Sequence, residues 1–499
     1  MPDFTSPAQA AQWLQQNVTG TLQTDSRALE SGDGFIAWPG TVVDARRYVG
    51  QVLGRGAACL VEQEGSELFG LHQGSVGRYP GLKAQTGAIA AEFYDNPSHH
   101  LAVVAVTGTN GKTSTTWWLA QALSQLPAPM TLPAGVVGTL GVGQPHRELL
   151  STGMTTPDPV VLQRTLRGFA DAGLKACAME ASSIGIEEHR LSGTRIEVAV
   201  FTNFSQDHLD YHGSMESYWH AKRKLFAWPG LQSAVINVDD AHGFALAESL
   251  EDRLQNVWTF SCQQPARLQA RNIEYRNGGL YFDVVEGEQV VGLQTRMIGT
   301  YNVSNVLAVL GAMRALEVPL HAAVQACGNL LPVPGRMECL GGVNQPLVAV
   351  DYAHTPDALA QALLALRPLA KQRGGRLWCV FGCGGDRDPG KRPLMGAIAM
   401  QHADAVVITS DNPRSEKPES IISQILLGLV EQNAAEVWVD RAQAIAEAIT
   451  QAAAEDVILL AGKGHETTQE MSGVKHPFSD HAHAENALAA RIKTQGDTL

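Results

Sequence analysis

The segment 106–116, VTGTNGKTSTT, carries the residue types that bind the phosphates of a nucleotide. Gly108 and Gly111 let the backbone turn its N–H groups towards an anion, and Lys112 can reach the β- and γ-phosphates of ATP. The hydroxyl of Thr113 can bind Mg²⁺ at the start of a helix whose dipole favours the same anion. A plain glycine turn is the alternative. The residues predicted to bind ATP through this loop are Gly108, Thr109, Asn110, Gly111, Lys112, Thr113 and Ser114.

Such a loop needs a strand before it and a helix after it. The apolar run 101–106 predicts a buried strand, and a hydroxyl-rich segment that can open a helix follows Lys112. Val106 stands where the first glycine of a Walker A loop belongs, so the loop is shorter than the usual one.

Two polar groups elsewhere could act beside this loop. The apolar segment 174–179 delivers Glu180 to a strand end, where a carboxylate can ligate Mg²⁺; an exposed glutamate is the alternative. In STGMTTPDP, Thr155 and Thr156 precede a proline. Their hydroxyls could hold a phosphate or a carboxylate of a substrate, or could simply belong to a turn.

A histidine-rich segment, residues 203–213, follows a second predicted strand. Zinc binding by His208, His212 and His220 is a weak interpretation of it, because such sites need a helix through the first two histidines. Asp210 favours a turn there instead.

Lys222 follows on a predicted helix, where a lone lysine is usually solvated. In a partly buried site its pKa would fall. The neutral amine could then add CO₂, and the resulting carbamate could ligate a second Mg²⁺ as a carboxylate does.

A last polar group lies where the middle and final parts of the chain meet. Asn302 and Asn305 are three apart on the first turn of a predicted helix and can face one side, towards a nucleotide base or sugar. Arg336 suits a phosphate and Asp351 a pair of ribose hydroxyls, with His354 close behind at a strand end. A hinge salt bridge or a turn cap is the alternative for each.

Composition indicates a multidomain protein without a polyanionic partner. The chain has 37 Lys and Arg against 50 Asp and Glu, a net charge of −13, which argues against general binding of nucleic acid or anionic membranes. Seven scattered cysteines form no C-x-x-C pair, so neither a disulfide framework nor a zinc ribbon is predicted. No secretory signal or membrane-spanning run is apparent, and we expect a cytoplasmic protein without membrane insertion.

Turn-rich segments predict three domains, 1–99, 100–332 and 333–499. The first boundary is FYDNPSHH and the second is LLPVPGRME. After the second, strand-like runs alternate with Ala- and Leu-rich helical segments, which predicts βαβ units and a parallel sheet of the α/β class. Ligands of such sheets lie beyond the carboxyl ends of the strands.

Nearly from end to end, the chain resembles the Mur ligases of bacterial cell-wall synthesis. The motifs that carry the resemblance are TGTNGKT, TTPDP, ME-x-SS, NFSQDHLDYHG, HAK, YNVSN, PGRME, DYAHTPD, FGCGGDRDPGKRPLM, DNPR and AGKGHE. The resemblance implies three domains: one for a UDP-linked substrate, a central P-loop ATPase-like domain, and a C-terminal Rossmann-like domain for the incoming amino acid. It is narrow enough to imply the branch that adds the third residue to UDP-N-acetylmuramoyl-L-alanyl-D-glutamate.

The resemblance also implies roles for individual residues. Lys222 matches the lysine that family members carbamylate, and Ile184 and Glu188 depart from the branch's usual residues. An acid at 188 would lie close to an anionic substrate. The implied contacts to the UDP-linked substrate are Ser26, Thr155, Thr156, Ser182, Glu188 and Arg190. The implied phosphate and Mg²⁺ set is Lys112, Thr113, Glu180 and His208, with Lys222 as a carbamate, and the implied nucleotide contacts are Asn302, Arg336 and Asp351.

The amino acid that is added can be argued from charge. Arg414 follows a proline in DNPR, and Arg387 lies in GGDRDPGKR. A guanidinium pairs with the second carboxylate of meso-diaminopimelate and repels the ammonium of L-lysine. DNPR is also what the diaminopimelate-adding members of the family carry. The predicted amino-acid pocket is Arg387, Asp411, Asn412, Arg414, Gly462 and Glu466, with Glu466 placed for the distal ammonium.

We therefore expect an ATP- and Mg²⁺-dependent ligase that acts as a monomer and forms an amide bond through an acyl phosphate. Lys112, Lys222 and His354 are the predicted catalytic residues, with a hinge near 332–336 that closes the last domain on the central one. An L-lysine-adding ligase and a folylpolyglutamate synthase are the rival enzymes. A non-catalytic ATP-binding regulator is the rival of a different class.

Overall fold

The structure is a computed structural model, and it describes residues 1–40, 43–70, 75–276, 279–342, 344–431 and 434–496. Its strands are β1 (Leu22–Gln23), β2 (Gly34–Ala37), β3 (Ala58–Glu62), β4 (Val76–Tyr79), β5 (Ala102–Thr107), β6 (Ala134–Gly138), β7 (Gly141–Gly143), β8 (Ala176–Glu180), β9 (Val198–Phe201), β10 (Ser233–Asn237), β11 (Asn256–Ser261), β12 (Leu268–Arg276), β13 (Gly279–Glu286), β14 (Gln289–Gln294), β15 (Glu338–Leu340), β16 (Leu347–Asp351), β17 (Leu377–Phe381), β18 (Ala405–Ile408), β19 (Glu436–Val437), β20 (Val457–Ala461), β21 (Thr468–Met471) and β22 (Val474–Pro477).

The helices lie between these strands. They are α1 (Pro7–Asn17), α2 (Val49–Leu53), α3 (Leu82–Phe93), α4 (Lys112–Ser124), α5 (Pro159–Asp171), α6 (Ser183–Glu187), α7 (Leu209–His212), α8 (Met215–Arg223), α9 (Ala241–Leu250), α10 (Tyr301–Ala315), α11 (Leu320–Gly328), α12 (Pro356–Arg373), α13 (Lys391–His402), α14 (Pro418–Leu426), α15 (Arg441–Gln451) and α16 (Asp480–Gly496). Short 3₁₀ helices span Ala45–Tyr48, Ser66–Phe69, Pro97–His100 and Lys224–Ala227. In the part of the chain that the structure describes, none of the helices is long and apolar enough to cross a bilayer.

The N-terminal sheet has the order β1-β2-β3-β4, with all neighbours parallel. Its strands are buried on both faces, as parallel strands usually are. Leu14 of α1 and Ile89 of α3 pack on one face, and Val49 and Val52 of α2 pack on the other.

The central sheet has ten strands in the order β14-β13-β12-β11-β10-β9-β5-β8-β6-β7. Strands β12, β13 and β14 form an antiparallel meander, whereas β5 lies between β8 and β9 in parallel register. Helices α4 and α10 cover one face and α5 and α9 cover the other. Because β5, β8 and β9 are parallel neighbours, their carboxyl ends present the phosphate loop, Glu180 and the 203–213 segment at one edge.

The C-terminal sheet has the order β15-β16-β20-β17-β18-β19, parallel except for the edge strand β15. Helices α12, α13 and α14 cover one face, and α15 and α16 cover the other. Thr355 caps α12 by accepting a hydrogen bond from the Ala358 N–H at 3.2 Å, and Pro356 opens the helix. The α/β class and the parallel C-terminal sheet predicted from the sequence are confirmed.

Each sheet lies within one of the three predicted segments. Contacts cross between the segments: Thr24 donates to Asp158 at 2.9 Å, and Asn110 donates to Asp357 at 2.9 Å. The boundaries 1–99, 100–332 and 333–499 remain our proposal.

Candidate active site between the central and C-terminal sheets

The phosphate loop joins β5 to α4 and is held against the end of β9. Thr109 donates its backbone N–H to the carbonyl of Asn203 at 2.9 Å, and Asn110 donates its own to the Asn203 side-chain oxygen at 2.8 Å. Gly111 has φ +85°, and a Cβ there would lie 2.3 Å from Oδ1 of Asn305. The conformation of the loop therefore depends on Gly111 and on Asn203. The sequence analysis assigned no role to Asn203.

Two lysines converge on one carbonyl of this loop. Lys112 Nζ donates to the Gly108 carbonyl at 3.0 Å and to that of Thr109 at 2.8 Å. Lys222 Nζ donates to the same Gly108 carbonyl at 2.7 Å and lies 4.4 Å from the ring centre of Tyr218. Burial lowers the pKa of both amines, and the charge of Lys112 lowers the pKa of Lys222 further. The half-buried Lys112 ammonium suits the phosphates of a nucleotide, whereas the strongly lowered pKa of Lys222 favours its neutral amine.

Lys222 is buried, with 1% of its surface exposed, so the solvated alternative for this residue is wrong. Its lowered pKa is the condition that the sequence analysis set for carbamate formation. Whether CO₂ is added stays a prediction.

Glu180 ends β8 and is 1% exposed. The alternative interpretation of this residue, an exposed glutamate at a strand end, is therefore wrong. Its carboxylate accepts hydrogen bonds from the Thr139 backbone N–H at 2.8 Å and the Thr139 hydroxyl at 3.2 Å. Thr113 is buried at the start of α4, and its hydroxyl accepts from Arg336 at 3.1 Å. Thr139 was not identified from the sequence, because only its place beside β8 in the folded sheet gives it a role.

His208 lies beside Asp207, with Nε2 3.5 Å from Oδ2. Burial would raise the pKa of Asp207, but the positive charges of His208, His354 and Lys391 hold it down at about 2. Burial lowers the pKa of His208. Asp207 and Lys391 therefore belong to the site, although neither was assigned from the sequence.

The residues present fit Mg²⁺ better than an all-protein metal cage. Among the described residues, no group of three or more His, Cys, Asp or Glu side chains is placed to hold a metal ion. Mg²⁺ is characteristically bound by one or two carboxylates together with substrate phosphates and waters. Glu180 supplies such a carboxylate next to a phosphate loop, and the Thr113 hydroxyl and His208 can add an oxygen and a nitrogen donor.

The three histidines of the zinc interpretation have separate partners. Nε2 of His212 is 2.9 Å from the Ser183 hydroxyl, and His220 is exposed beside Glu216. His208 is the residue before the four-residue helix α7 and has φ +52°. The long helix that a zinc site of this kind needs is not formed by these residues.

Asn302, Arg336 and Asp351 line one cavity of about 280 Å³ between the two sheets, with part of the phosphate loop. The described lining does not include the other predicted loop residues, Gly108, Thr109, Lys112 and Thr113. Asn305 donates to Asn302 at 2.9 Å, so these two side chains do face one side of α10. The Arg336 guanidinium lies 4.6 Å from the ring centre of Tyr352, and its buried Nε has no hydrogen-bond partner among the described residues. The described lining includes Asn110, Gly111, Ser114, Asn302, Asn305, Arg336, Asp351, Tyr352, His354 and Asp357.

All six predicted amino-acid residues line a second cavity, of about 400 Å³. Arg414 donates to the Gly385 carbonyl at 2.7 Å, and Arg387 lies 3.9 Å from Asp210 of the central segment. Glu466 accepts from Lys463 at 2.7 Å and from Asn412 at 2.8 Å. The six are Arg387, Asp411, Asn412, Arg414, Gly462 and Glu466, and the same cavity is lined by Thr155, His208 and Lys391.

Tyr352 and His354 line both cavities. Nδ1 of His354 is 2.8 Å from the Tyr352 carbonyl, which fixes the ring. Burial lowers the pKa of His354 to about 4, so the imidazole is neutral at pH 7. When Nδ1 donates to that carbonyl, Nε2 is left as a proton acceptor.

The residues predicted to contact the UDP-linked substrate are spread over two segments. Ser26 lines a groove of about 620 Å³ in the N-terminal segment with Tyr48 and Arg55. Thr156 is fully buried and donates to the Glu180 carbonyl at 2.8 Å; it orders the turn rather than facing a cavity.

The remaining three predicted substrate contacts surround this turn. Ser182 caps α6 by accepting from the Gly185 N–H at 3.0 Å, and Arg190 donates to the Thr156 carbonyl at 3.0 Å. Glu188 is paired with Lys83 at 2.5 Å and accepts from the Tyr211 hydroxyl at 2.5 Å. Glu188 is therefore partly neutralised by a residue of α3.

A phosphate loop with buried lysines, facing an arginine-lined cavity across a shared wall, defines a nucleotide-dependent enzyme that joins two substrates. Comparison with known proteins supports this class of enzyme. Residues 106–313 match the model of the Mur ligase middle domain, and residues 335–464 match that of the Mur ligase glutamate ligase domain. The chain belongs to the Mur ligase family, as its motifs predicted.

Individual relatives show which members of the family this chain is similar to. The chain is 60% identical, over 98% of each sequence, to a UDP-N-acetylmuramoyl-L-alanyl-D-glutamate--2,6-diaminopimelate ligase of Acidovorax sp. (strain JS42). It is 46% identical, again over 98% of each, to the enzyme of the same name in Janthinobacterium sp. (strain Marseille). A solved structure with that name is 36% identical and covers 95% of both chains with a TM-score of 0.65. MurF ligase from Thermotoga maritima in complex with ADP, at 16% identity and a TM-score of 0.65 over 97% of this chain and 99% of that one, shows the fold alone.

Proposed function

We propose that this chain is an ATP-dependent ligase that joins meso-diaminopimelate to the side-chain carboxylate of D-glutamate in UDP-N-acetylmuramoyl-L-alanyl-D-glutamate. The observation that carries the proposal is the pair of cavities that share Tyr352 and His354 as a wall. A nucleotide in one cavity and an amino acid in the other are thereby brought to the same reaction centre.

The first step is attack of the D-glutamate carboxylate on the γ-phosphate of ATP, which forms an acyl phosphate and releases ADP. Carboxylate and triphosphate repel each other, so the site must neutralise charge before they approach. The Lys112 ammonium does this at the phosphate loop, and Arg336 supports it from the C-terminal side.

Glu180, His208 and the Thr113 hydroxyl would hold one Mg²⁺, and a carbamylated Lys222 would be a ligand of a second. Mg²⁺ would supply charge neutralisation at the phosphates. Thr139 fixes the orientation of the Glu180 carboxylate through two hydrogen bonds.

In the second step the amine of diaminopimelate attacks the acyl carbon, and phosphate leaves from a tetrahedral intermediate. The neutral His354 lies where the two cavities meet, so its free Nε2 can accept the proton that the amine loses. The contacts between Asn110 and Asp357 and between Arg387 and Asp210 hold the central and C-terminal parts together over the reacting groups.

Acceptor choice follows from the charges of the second cavity. Arg414 keeps guanidinium donors beyond the one used by the Gly385 carbonyl, and these can pair with the distal carboxylate of meso-diaminopimelate. The ammonium of L-lysine at that position would face Arg414 and Arg387 and be repelled.

Both substrates are also a guide to where the enzyme works. ATP and a UDP-linked precursor are cytoplasmic compounds, so we place the enzyme in the cytoplasm.

We also propose that the enzyme is a monomer. Size-exclusion chromatography with light scattering measures its mass, and a mass near twice 53.4 kDa would contradict a monomer.

The test is phosphate release from ATP with Mg²⁺ and the UDP-linked dipeptide, comparing meso-diaminopimelate with L-lysine. Release that depends on diaminopimelate is expected. Release with lysine at an equal or greater rate would retain the ligase and overturn the acceptor assignment. ATP binding with no release under either condition would favour the non-catalytic regulator.

A further inference from the structure

A fully buried ion pair lies beneath the amino-acid cavity. Arg441 opens α15 and Asp480 opens α16, and both side chains are 0% exposed. Nε and Nη2 of Arg441 donate to the two carboxylate oxygens of Asp480, each at 2.7 Å. The described lining of the cavity contains neither residue, so the pair does not touch a bound amino acid.

The same guanidinium holds two strand ends that do carry cavity residues. Nη2 donates to the Ala461 carbonyl at 2.9 Å, and Nη1 donates to the Ser410 carbonyl at 3.4 Å. Ala461 ends β20 and precedes Gly462, whereas Ser410 lies just beyond β18 and precedes Asp411. One side chain therefore fixes the backbone immediately before two predicted amino-acid contacts.

These two strand ends fit each other closely. A Cβ on Gly462 would lie 2.4 Å from Oδ2 of Asp411, so the Asp411 carboxylate rests against the Gly462 backbone. Gln469 adds a hydrogen bond to the Asp411 carbonyl at 2.6 Å. With so little free space, a displacement of one strand end moves the carboxylate on the other.

Stability alone does not explain why this pair is charged. A buried ion pair loses its hydration and is often no more stable than an apolar pair of the same volume. Arg441 is also the first residue of a helix, where the positive end of the helix dipole disfavours a cation. What an apolar pair could not supply is the set of hydrogen bonds to the Ser410 and Ala461 carbonyls.

We propose that Arg441 and Asp480 are positioning residues for the amino-acid cavity: their ion pair sets the placement of Asp411 and Gly462, and through them the affinity for the incoming amino acid. The inference builds on the proposed function, because it takes this cavity as the site of diaminopimelate.

The test compares two charge-free pairs. The variant Arg441→Met/Asp480→Leu replaces the buried pair with apolar side chains. The control Arg314→Met/Glu286→Leu does the same to a pair in the central segment, whose two hydrogen bonds are 2.8 and 2.9 Å long. KM values for diaminopimelate, ATP and the UDP-linked substrate are measured for both, together with the midpoint of thermal unfolding.

We expect the KM for diaminopimelate to rise about tenfold or more in the Arg441/Asp480 variant, with the other two KM values within about twofold, because sub-ångström misplacement of binding groups costs this much. The control should leave all three KM values unchanged. An unchanged KM for diaminopimelate in the folded variant would overturn the inference.

If the double variant does not fold, Arg441→Lys decides the question. Lysine keeps the charge but cannot donate to both Asp480 oxygens and both carbonyls at once, so the KM for diaminopimelate should again rise selectively. An unchanged value would overturn the inference. A wild-type enzyme inactive with diaminopimelate would instead overturn the proposed function.

Discussion

At the scale of single residues, the phosphate loop brings two lysine side chains to one carbonyl oxygen. Lys112 and Lys222 both donate to the Gly108 carbonyl, so burial and the nearby charge of Lys112 lower the pKa of the Lys222 amine. Asp207 is the nearby carboxylate whose charge offsets both. The arrangement is costly without an anion, and a triphosphate supplies one.

Replacing Lys112 with Met should therefore abolish most of the activity. The γ-phosphate would lose its buried cation, and we expect kcat to fall by about 10²–10³-fold or more. Phosphate release measures this. Lys224→Met, which removes an exposed lysine on the neighbouring 3₁₀ helix, is the control and should retain wild-type kcat. Full activity of Lys112→Met would contradict the phosphate assignment.

Two partly buried histidines should make the protein sensitive to acid. Burial lowers the pKa of His354 and of His465 to about 4, below the value near 6.5 expected in the unfolded chain. The unfolded chain then binds protons first as the pH falls. The free energy of unfolding should therefore decrease from about pH 6.5 to about pH 4, by at most about 1.4 kcal/mol per pH unit for each histidine.

Urea unfolding between pH 4.5 and 7 measures this slope. His465→Asn should reduce the slope of the free energy of unfolding against pH by the contribution of one histidine. His99→Asn, at an exposed position, should leave the slope unchanged. A slope that is the same in wild type and His465→Asn would count against a neutral, partly buried His465.

At the scale of elements, the loop between β5 and α4 is shaped by the helix that faces it. A Cβ on Gly111 would meet Oδ1 of Asn305 at 2.3 Å, whereas one on Gly173, at φ +78°, would meet nothing within 4 Å. Both positions have left-handed backbone, so alanine costs about 1–2 kcal/mol of strain at either. Only Gly111→Ala also displaces α10 or the loop.

We expect Gly111→Ala to raise the KM for ATP about tenfold or more, since the loop no longer matches the phosphates. Gly173→Ala should lose only the stability that the backbone strain costs, while its KM for ATP stays near the wild-type value. Steady-state kinetics and thermal unfolding separate the two effects. Equal KM values in the two variants would mean that the contact with Asn305 does not shape the loop.

The strands and the loop could be predicted from sequence because they depend on local pattern. The apolar runs 101–106 and 174–179 predicted β5 and β8 to within about two residues of their observed bounds. Asp207, Thr139 and Lys391 escaped prediction for a different reason. Thr139 reaches Glu180 only because β6 and β8 are neighbours in the folded sheet, and Asp207 and Lys391 come together only where the central and C-terminal segments line one cavity. The neighbouring residues in the sequence show neither contact.

At the scale of the whole molecule, the N-terminal segment bears on the central site through Lys83. Its pairing with Glu188 compensates for an acid close to where the anionic substrate is predicted to lie. Lys83→Met should free that charge and raise the KM for the UDP-linked substrate by about three- to tenfold, in keeping with the modest energy of half-exposed ion pairs. Lys83→Met/Glu188→Gln should bring the value back to within about twofold.

Lys224→Met is the matched control for this experiment, because it frees the adjacent Glu187 from a pair of the same length, 2.5 Å. It should not change the KM for the UDP-linked substrate. An equal rise in the control would indicate a general effect of negative charge. No rise in Lys83→Met would remove Glu188 from the substrate site.

The wall shared by the two cavities limits how enzymes of this kind can diversify. Tyr352 and His354 follow β16, within the C-terminal sheet, yet they line the nucleotide cavity as well as the amino-acid cavity. A chimaera that imported the C-terminal segment of a relative with another amino-acid preference would import half of a nucleotide site with it. Exchange of only the loops that carry Arg387 and Arg414 leaves that wall intact. A change in the third residue of a cell-wall peptide is thus more accessible to evolution through loop replacement than through domain shuffling.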